Sequence, residues 1–344
     1  MNLKTRKEAF VKCGLFIKRH FNANWDEKEK GLHEGLDQLI DTALIYNGWF
    51  IKDFVKEALI NIANMLDEKS LNDFTKNIPE PKQQKTVAII MAGNIPMVGF
   101  HDLLCVLLSG HKALLKLSSD DNVLMPFFIK LLMHYEPAIG ENIKFSQAKL
   151  AGFDAVIATG SNNTATHFQY YFGKYPNIIR KNRTSVAVIT GKESKEDLKN
   201  LGRDIFLYFG LGCRNVSKLL VPKGFVFDPI FEAVFDYKFA VDNKKYGNNY
   251  DYNRAIYLLN LDKFLDNNFL MIKEDKGLFS PVSVVYYQEF ESEKDIKQYL
   301  EENKENIQCV VGNGSGYVPF GYSQQPVITE YADGVNTLDF LVNL

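Results

Sequence analysis

Thr86-Val-Ala-Ile-Ile-Met-Ala-Gly-Asn-Ile-Pro96 is a compact apolar run that ends on a turn of small residues. The run Thr86–Met91 is too short for a buried helix and is closed by Ala92-Gly93, so it predicts a buried strand. Gly93-Asn94-Ile95-Pro96 then passes the chain to a helical pattern from Met97 to Leu108 that stops at Gly110. Pro96 suits the first helical position, where its missing N–H costs nothing. The same unit recurs downstream. Ala113–Leu117 predicts a strand, and Ser118-Ser119-Asp120-Asp121 an N-cap cluster for a helix through Leu132. Asp154–Ala158 precedes Thr159-Gly160-Ser161-Asn162-Asn163 and a helix holding Ala165, Phe168 and Tyr171, and Ser185–Ile189 ends at Thr190-Gly191. Strand, glycine-bearing turn and helix in alternation imply an α/β fold, a parallel doubly wound sheet of the nucleotide-binding type. The G-x-G-x-x-G fingerprint is absent from these turns, so a dinucleotide here would be held by other contacts.

Upstream, residues 1 to about 76 read as helices, with apolar residues three and four apart through Leu36, Leu39, Ile40, Ala43 and Leu44 and again from Phe54 to Leu66. Ile78-Pro-Glu-Pro-Lys82 breaks that pattern. Downstream lies a second, smaller α/β pattern. It has strands at Leu219–Val221, Ala255–Leu259, Val282–Tyr287 and Gln308–Val311, helices at Pro229–Phe235 and Glu291–Glu302, and a glycine-rich end, Gly312-Asn-Gly-Ser-Gly316. The expected division is a helical region plus nucleotide-binding domain over 1–205, a catalytic domain over 206–317, and a tail, 318–344, returning to the first.

The 344 residues carry a net charge of -2, which argues against a global nucleic-acid footprint. Cys13, Cys105, Cys213 and Cys309 are far apart and form no CxxC pair, so neither a metal site nor a disulfide framework is expected. No apolar run approaches the roughly 18 residues of a membrane span. The N-terminus lacks the apolar core of a signal peptide, and a soluble, cytoplasmic chain is expected.

Phe209-Gly-Leu-Gly-Cys-Arg-Asn-Val-Ser-Lys218 is the stretch with chemistry in it. Small neighbours let a carbonyl approach Cys213, Arg214 favours the thiolate, and the glycine turn leaves backbone N–H groups free. The alternative is a buried cysteine acting as a small hydrophobe. Asn94 is a candidate oxyanion donor or a plain turn asparagine. Lys116, in an apolar strand end, is a candidate ribose or phosphate contact or a snorkelling lysine. Gly160-Ser161 opens a helix and offers N–H groups to a pyrophosphate, or simply caps it. His101 faces either the site or the core, while His111 and His167 read as structural. Tyr170-Tyr171-Phe172 and Tyr286-Tyr287 line an acyl tunnel or pack the core.

In order and spacing these parts resemble the aldehyde dehydrogenase superfamily over about residues 85 to 290, and most closely its luminescence-type fatty acyl-CoA reductase (LuxC) branch. The resemblance implies that Asn94, followed by Pro96, supplies the oxyanion donor, that Lys116 contacts the adenosine ribose, and that Gly160 and Ser161 lie near the cofactor. It implies that Cys213 is the nucleophile and that Phe279-Ser280-Pro281-Val282 matches the family's Phe-Gly-Pro-Val element. Val186-Ala-Val-Ile-Thr-Gly191-Lys192 aligns with the segment that carries the hydrolytic glutamate, which puts Thr190 and Gly191 at the cofactor and an apolar residue, about Val188, where the glutamate stands. Without that base the acyl group should pass to a thiol such as CoA rather than to water. The acid that holds the nicotinamide ribose is also missing, Gly277 or Leu278 standing there. The function implied is an NADPH-dependent acyl-CoA reductase working through a cysteine thioester, with NADH as a further option. A CoA-independent aldehyde dehydrogenase and a non-reducing, acyl-carrying subunit are the rivals. The oligomeric state stays open, a homo-oligomer included.

Overall fold

The computed structural model describes residues 1–25, 27–146 and 149–344. The chain forms two compact units, Met1–Lys181 with Val327–Leu344, and Asn182–Pro326.

The first unit begins with four helices, α1 (Leu3–Phe21), α2 (Lys30–Tyr46), α3 (Lys52–Met65) and α4 (Glu68–Thr75). Asn2 starts α1 by accepting the Thr5 N–H at 2.9 Å, and α1 buries Ala9, Phe10, Cys13, Phe16 and Ile17, one stripe of a 3.6-residue period. A five-stranded sheet follows, built from β1 (Thr86–Ile90), β2 (Lys112–Lys116), β3 (Ile143–Phe145), β4 (Ala155–Thr159) and β5 (Asn177–Arg180). Its order is β3-β2-β1-β4-β5 and every pairing is parallel. Helices α5 (Phe100–Leu108), α6 (Leu124–Tyr135) and α7 (Asn162–Phe172) are the crossovers. The strand order reverses between β1 and β4, and ligands of such sheets bind beyond the carboxyl ends of the strands at that switch. Asn94, Lys116, Gly160 and Ser161 all lie at those ends.

The second unit holds β6 (Thr184–Val188), α8 (Lys195–Phe206), β7 (Val216–Pro222), α9 (Asp228–Ala233), α10 (Lys244–Leu259), β8 (Phe264–Asp266), β9 (Met271–Glu274), β10 (Val284–Phe290), α11 (Glu293–Glu302) and β11 (Ile307–Val311). Its sheet runs β11-β6-β7-β10-β9-β8, parallel except for the β8–β9 pair. The last helix, α12 (Thr337–Val342), packs on α5 in the first unit. His111 and His101 fix this tail, their Nε2 atoms lying 3.0 Å from the Leu341 carbonyl and 2.8 Å from that of Ile328.

Three expectations shift. The run Ser185–Ile189 pairs in the second sheet, so the units divide at Lys181/Asn182 and Pro326/Val327 rather than at 205/206 and 317/318. Ala255–Leu259 is the end of α10, whose buried Tyr246, Tyr250, Asn253 and Tyr257 repeat at helical spacing. A short apolar run does not distinguish the two states. Helix α5 starts at Phe100, three residues later than expected, because Met97 adopts φ +62° and the chain turns before it coils.

Where α1 ends, His20 and His33 lie almost fully buried with their Nδ1 atoms 3.0 Å apart, Trp25 stacked on both rings and Phe16 on that of His33. Burial lowers both pKa values, and for His33 the neighbouring His20 lowers it further. Asp37, 3.3 Å from His20 Nε2, opposes this only in part. Folded-state values below the unfolded 6.5 mean that stability is complete above that pH and is lost as the unfolded chain takes up protons the folded one refuses. Denaturant midpoints should therefore fall between pH 7.5 and 5.5, at up to about 1.4 kcal/mol per pH unit per histidine. A midpoint unchanged over that range would contradict it.

Candidate active site

At the switch point, β1 delivers the Asn94 turn. Only glycine fits at 93, because a Cβ would sit 2.7 Å from Ser118 Oγ and 2.9 Å from the Asp121 nitrogen. The turn is clamped from two sides. Asn47 Nδ2 donates to the Gly93 carbonyl at 3.1 Å and to that of Asp120 at 3.2 Å. The Asp121 carboxylate accepts the N–H of left-handed Met97 at 2.8 Å and that of Leu124 at 3.4 Å, and burial pushes its pKa up to about 6. Asn94 itself is exposed at the tip. One strand away, Lys116 is in register with Ile90. It opens on a cavity of about 610 Å³ lined by Leu117, Ser118, Ser119, Asn122, Phe145 and Ser146. Among the described residues that lining has one cation and no carboxylate. On the other side Ala158 shares the row, and Ser161 caps α7, its Oγ accepting the Thr164 N–H at 3.3 Å. The structure thus brings Lys116, Asn94, Gly160 and Ser161 to neighbouring ends of β2, β1 and β4.

Cys213 lies in the second unit, between α8 and β7. Of the four cysteines it alone is exposed; Cys309 is half-buried, and burial pushes the thiols of Cys13 and Cys105 up. The approach to it is strained. Tyr208 (φ +54°), Phe209 (φ +55°) and Gly210 (φ +77°) are left-handed in succession. The two buried aromatics each cost about 1–2 kcal/mol in that conformation, so surrounding contacts must enforce it. Asn215, 1 % exposed, supplies them. Its Oδ1 accepts the Gly212 N–H at 2.8 Å, and its Nδ2 faces the carbonyls of Leu207 (2.8 Å), Asp204 (3.0 Å) and Ile205 (3.4 Å). The Gly212 N–H, expected to be free, is therefore taken. Ser185 Oγ donates to the Cys213 carbonyl at 3.1 Å and also lies 3.1 Å from Cys309 Sγ. Arg214 donates to the Ser323 carbonyl at 3.2 Å, in a segment that Asp204 holds through the Gly321 and Ser323 N–H groups at 2.6 and 3.0 Å. Sequence reasoning missed Asn215, Ser185 and Asp204; their only advance signal is the polar residue two positions after Cys213.

Thr190 and Gly191 are corrected. Cys213 precedes the start of β7, whereas Thr190 and Gly191 follow the end of its parallel neighbour β6, with Val188 opposite Leu220. The seven residues of β7 alone separate those two edges by about 20 Å. Their N–H groups and the Thr190 hydroxyl are occupied by the Glu193 carboxylate at 2.7–2.9 Å. Val188 accordingly does not stand at a base position beside Cys213. The segment on the Cys213 edge is Asn182-Arg183-Thr184-Ser185, which has no carboxylate either.

Phe279-Ser280-Pro281-Val282 leads into β10, and the loop before it is pinned by Lys218. This fully buried lysine, its pKa pushed down to about 8 by desolvation, donates to the carbonyls of Asp275 and Gly277. Tyr170 and Tyr171 are exposed on α7 and line no tunnel, and His167 is exposed on the same helix.

A model of the acyl-CoA reductase (LuxC) family matches residues 26–224, more than half of the chain. The chain belongs to the acyl-CoA reductase (LuxC) family. Its members are oxidoreductases of acyl groups, and this LuxC-family chain has the aldehyde dehydrogenase fold. Aldehyde dehydrogenase 21 from Physcomitrella patens, solved with its product succinate, superposes with a TM-score of 0.66 at 11 % identity, over 100 % of this chain and 84 % of that one. The NAD-dependent aldehyde dehydrogenase from Sinorhizobium meliloti gives 0.66 at 12 %, over 94 % and 72 %. The NAD+ complex of the Bacillus cereus enzyme gives 0.62 at 13 %, over 90 % and 72 %. No match is found among curated proteins. Among the described residues no group of His, Cys, Asp and Glu could hold a metal, and no helix is long and apolar enough to cross a membrane.

Proposed function

We propose that the protein reduces an acyl-CoA thioester to an aldehyde with NADPH, through a thioester on Cys213. The observation that carries this is an exposed cysteine held in a strained turn, in a chain of the acyl-CoA reductase family. The Cys213 thiolate adds to the thioester carbon while the Asn94 amide donates to the oxygen as it becomes anionic. The carbonyl re-forms, the carbon–sulfur bond to CoA breaks, and CoA leaves as its thiolate to take a proton from solvent. NADPH, when bound, would supply the hydride that this carbonyl carbon accepts, and Cys213 leaves as thiolate when the aldehyde forms. With no carboxylate in Asn182–Ser185 to activate water, the thioester waits for hydride or for CoA.

The cofactor fits what is present. Lys116, at the carboxyl end of β2, is a cation that can donate to the adenosine ribose hydroxyls and also suits a 2′-phosphate. Gly160 and Ser161 would hold the pyrophosphate at the start of α7. K116A should raise KM for NADPH about 10- to 100-fold with kcat little changed, the loss expected of one hydrogen bond to a charged group. Steady-state kinetics with NADPH and NADH check this, and an equal effect on both would remove the phosphate from the argument. The reaction is tested by its stoichiometry: one NADPH oxidised and one CoA thiol released per aldehyde. Cofactor consumption without CoA release would reject it.

A further inference from the structure

We infer that Asn215 is the positioning residue of the nucleophile turn: its amide holds the chain between α8 and β7 in the left-handed path that presents Cys213. This rests on the reading of Cys213 as the acyl-accepting thiol. Both ends of the amide are used, and the partners fix which end is which. Gly212 offers a donor, so oxygen faces it; Asp204, Ile205 and Leu207 offer acceptors, so nitrogen faces them. Asp204 and Ile205 lie in the last turn of α8 and Leu207 is its C-cap, and the amide nitrogen that their carbonyls share is buried with them.

No other side chain of similar reach does both jobs. Aspartate would turn an anion toward three carbonyl oxygens, and alanine would take this donor from the three carbonyls and this acceptor from the Gly212 N–H. Either way the chain loses the contacts that oppose relaxation of Tyr208, Phe209 and Gly210 toward ordinary backbone. Other ties support the same turn, the Leu211 N–H donating to the Tyr208 carbonyl at 3.1 Å and the Phe209 ring packing on Tyr246, while Ser185 on the Cys213 carbonyl and Arg214 on Ser323 act beyond it. The Asn215 amide is the side chain that bonds the backbone on both sides of the left-handed residues. Relaxation therefore moves the sulfur relative to the rest of the sheet, and a displacement of about 1 Å at a reacting atom costs roughly a hundredfold in rate.

The test compares wild type, N215A and G210A, the last keeping Asn215 while adding a Cβ at φ +77°. Three readouts are taken: kcat and KM for acyl-CoA, the folded fraction from circular dichroism, and the iodoacetamide alkylation rate of Cys213 by peptide mass from pH 6 to 9. The expected result for both variants is a kcat about a hundredfold lower, an almost unchanged KM and a displaced alkylation profile, in protein that remains folded. Wild-type kcat and alkylation in folded N215A would overturn the role, as would activity lost only in step with the folded fraction. If N215A does not fold, G210A decides on the same criteria. Failure of wild-type Cys213 to accept an acyl group overturns instead the nucleophile reading, and the alkylation comparison still judges Asn215.

Discussion

C213A should form no aldehyde, with a fall of about 10⁵-fold or more, because in the proposed cycle Cys213 carries the only covalent bond between enzyme and substrate. C213S is expected to fare little better at neutral pH, since a hydroxyl is far less ionised than a thiol. Both variants should fold and keep their affinity for NADPH, because Cys213 is exposed and its side chain packs no core. The measurement is NADPH oxidation with acyl-CoA, alongside a thermal shift with NADPH alone. Substantial aldehyde formation by C213A would remove the thiol from the mechanism. Substitution of Cys13 or Cys105 should instead act on stability, as both thiols are buried in the helical core.

The second large effect is on stability. Arg180, at the end of β5, meets Asp102 of α5 at 2.6 Å, and both are about 95 % buried. Its other nitrogen donates to Thr337 of α12 at 3.1 Å, so a single guanidinium joins the sheet edge, a crossover helix and the returning tail. D102A strands that charge in the interior, which should cost about 3–5 kcal/mol. R180M alone strands the carboxylate and should cost a similar amount. The double variant R180M/D102L should recover most of the loss, because exchanging a buried pair for apolar volume is often neutral. Urea unfolding followed by circular dichroism gives all three values. Additive losses in the double variant would show that the pair does not act as a unit.

Much of the first unit could be read from the chain because its parallel strands are buried on both faces and appear as plain apolar runs. Thr86–Met91 and Asp154–Ala158 needed nothing beyond the glycine turns that close them. The returning tail was expected for the same reason the division was misplaced. Connectivity is visible along the sequence, but which sheet a strand joins is not, and Ser185–Ile189 went to the second one. That one strand also explains the error over Thr190 and Gly191. A motif read as flanking the active site lies at the far end of β6, where an exposed loop folds onto Glu193.

The candidate site was legible where a residue type has a narrow use. A cysteine among glycines, an asparagine after a strand and a lysine at an apolar strand end are such cases, and Asn94, Lys116, Gly160 and Ser161 occupy adjoining strand ends of one sheet. The supports were not legible. Asn47 lies 46 residues before the turn it clamps, and Ser185 lies 28 before the cysteine it touches. Asn215 is only two residues away, yet an asparagine in a turn is commonplace. What distinguishes it is the left-handed run before it, and no residue pattern encodes two buried aromatics at positive φ.

The central claim is a covalent acyl group on one sulfur, and the mass of the intact protein measures it most directly. Enzyme mixed with acyl-CoA in the absence of NADPH should gain the mass of one acyl group, located by digestion on the peptide carrying Cys213 and removed by hydroxylamine. Adding NADPH should return the protein to its original mass as aldehyde appears. An unmodified protein that nevertheless makes aldehyde, or an acyl group found only on Cys309, would contradict the account.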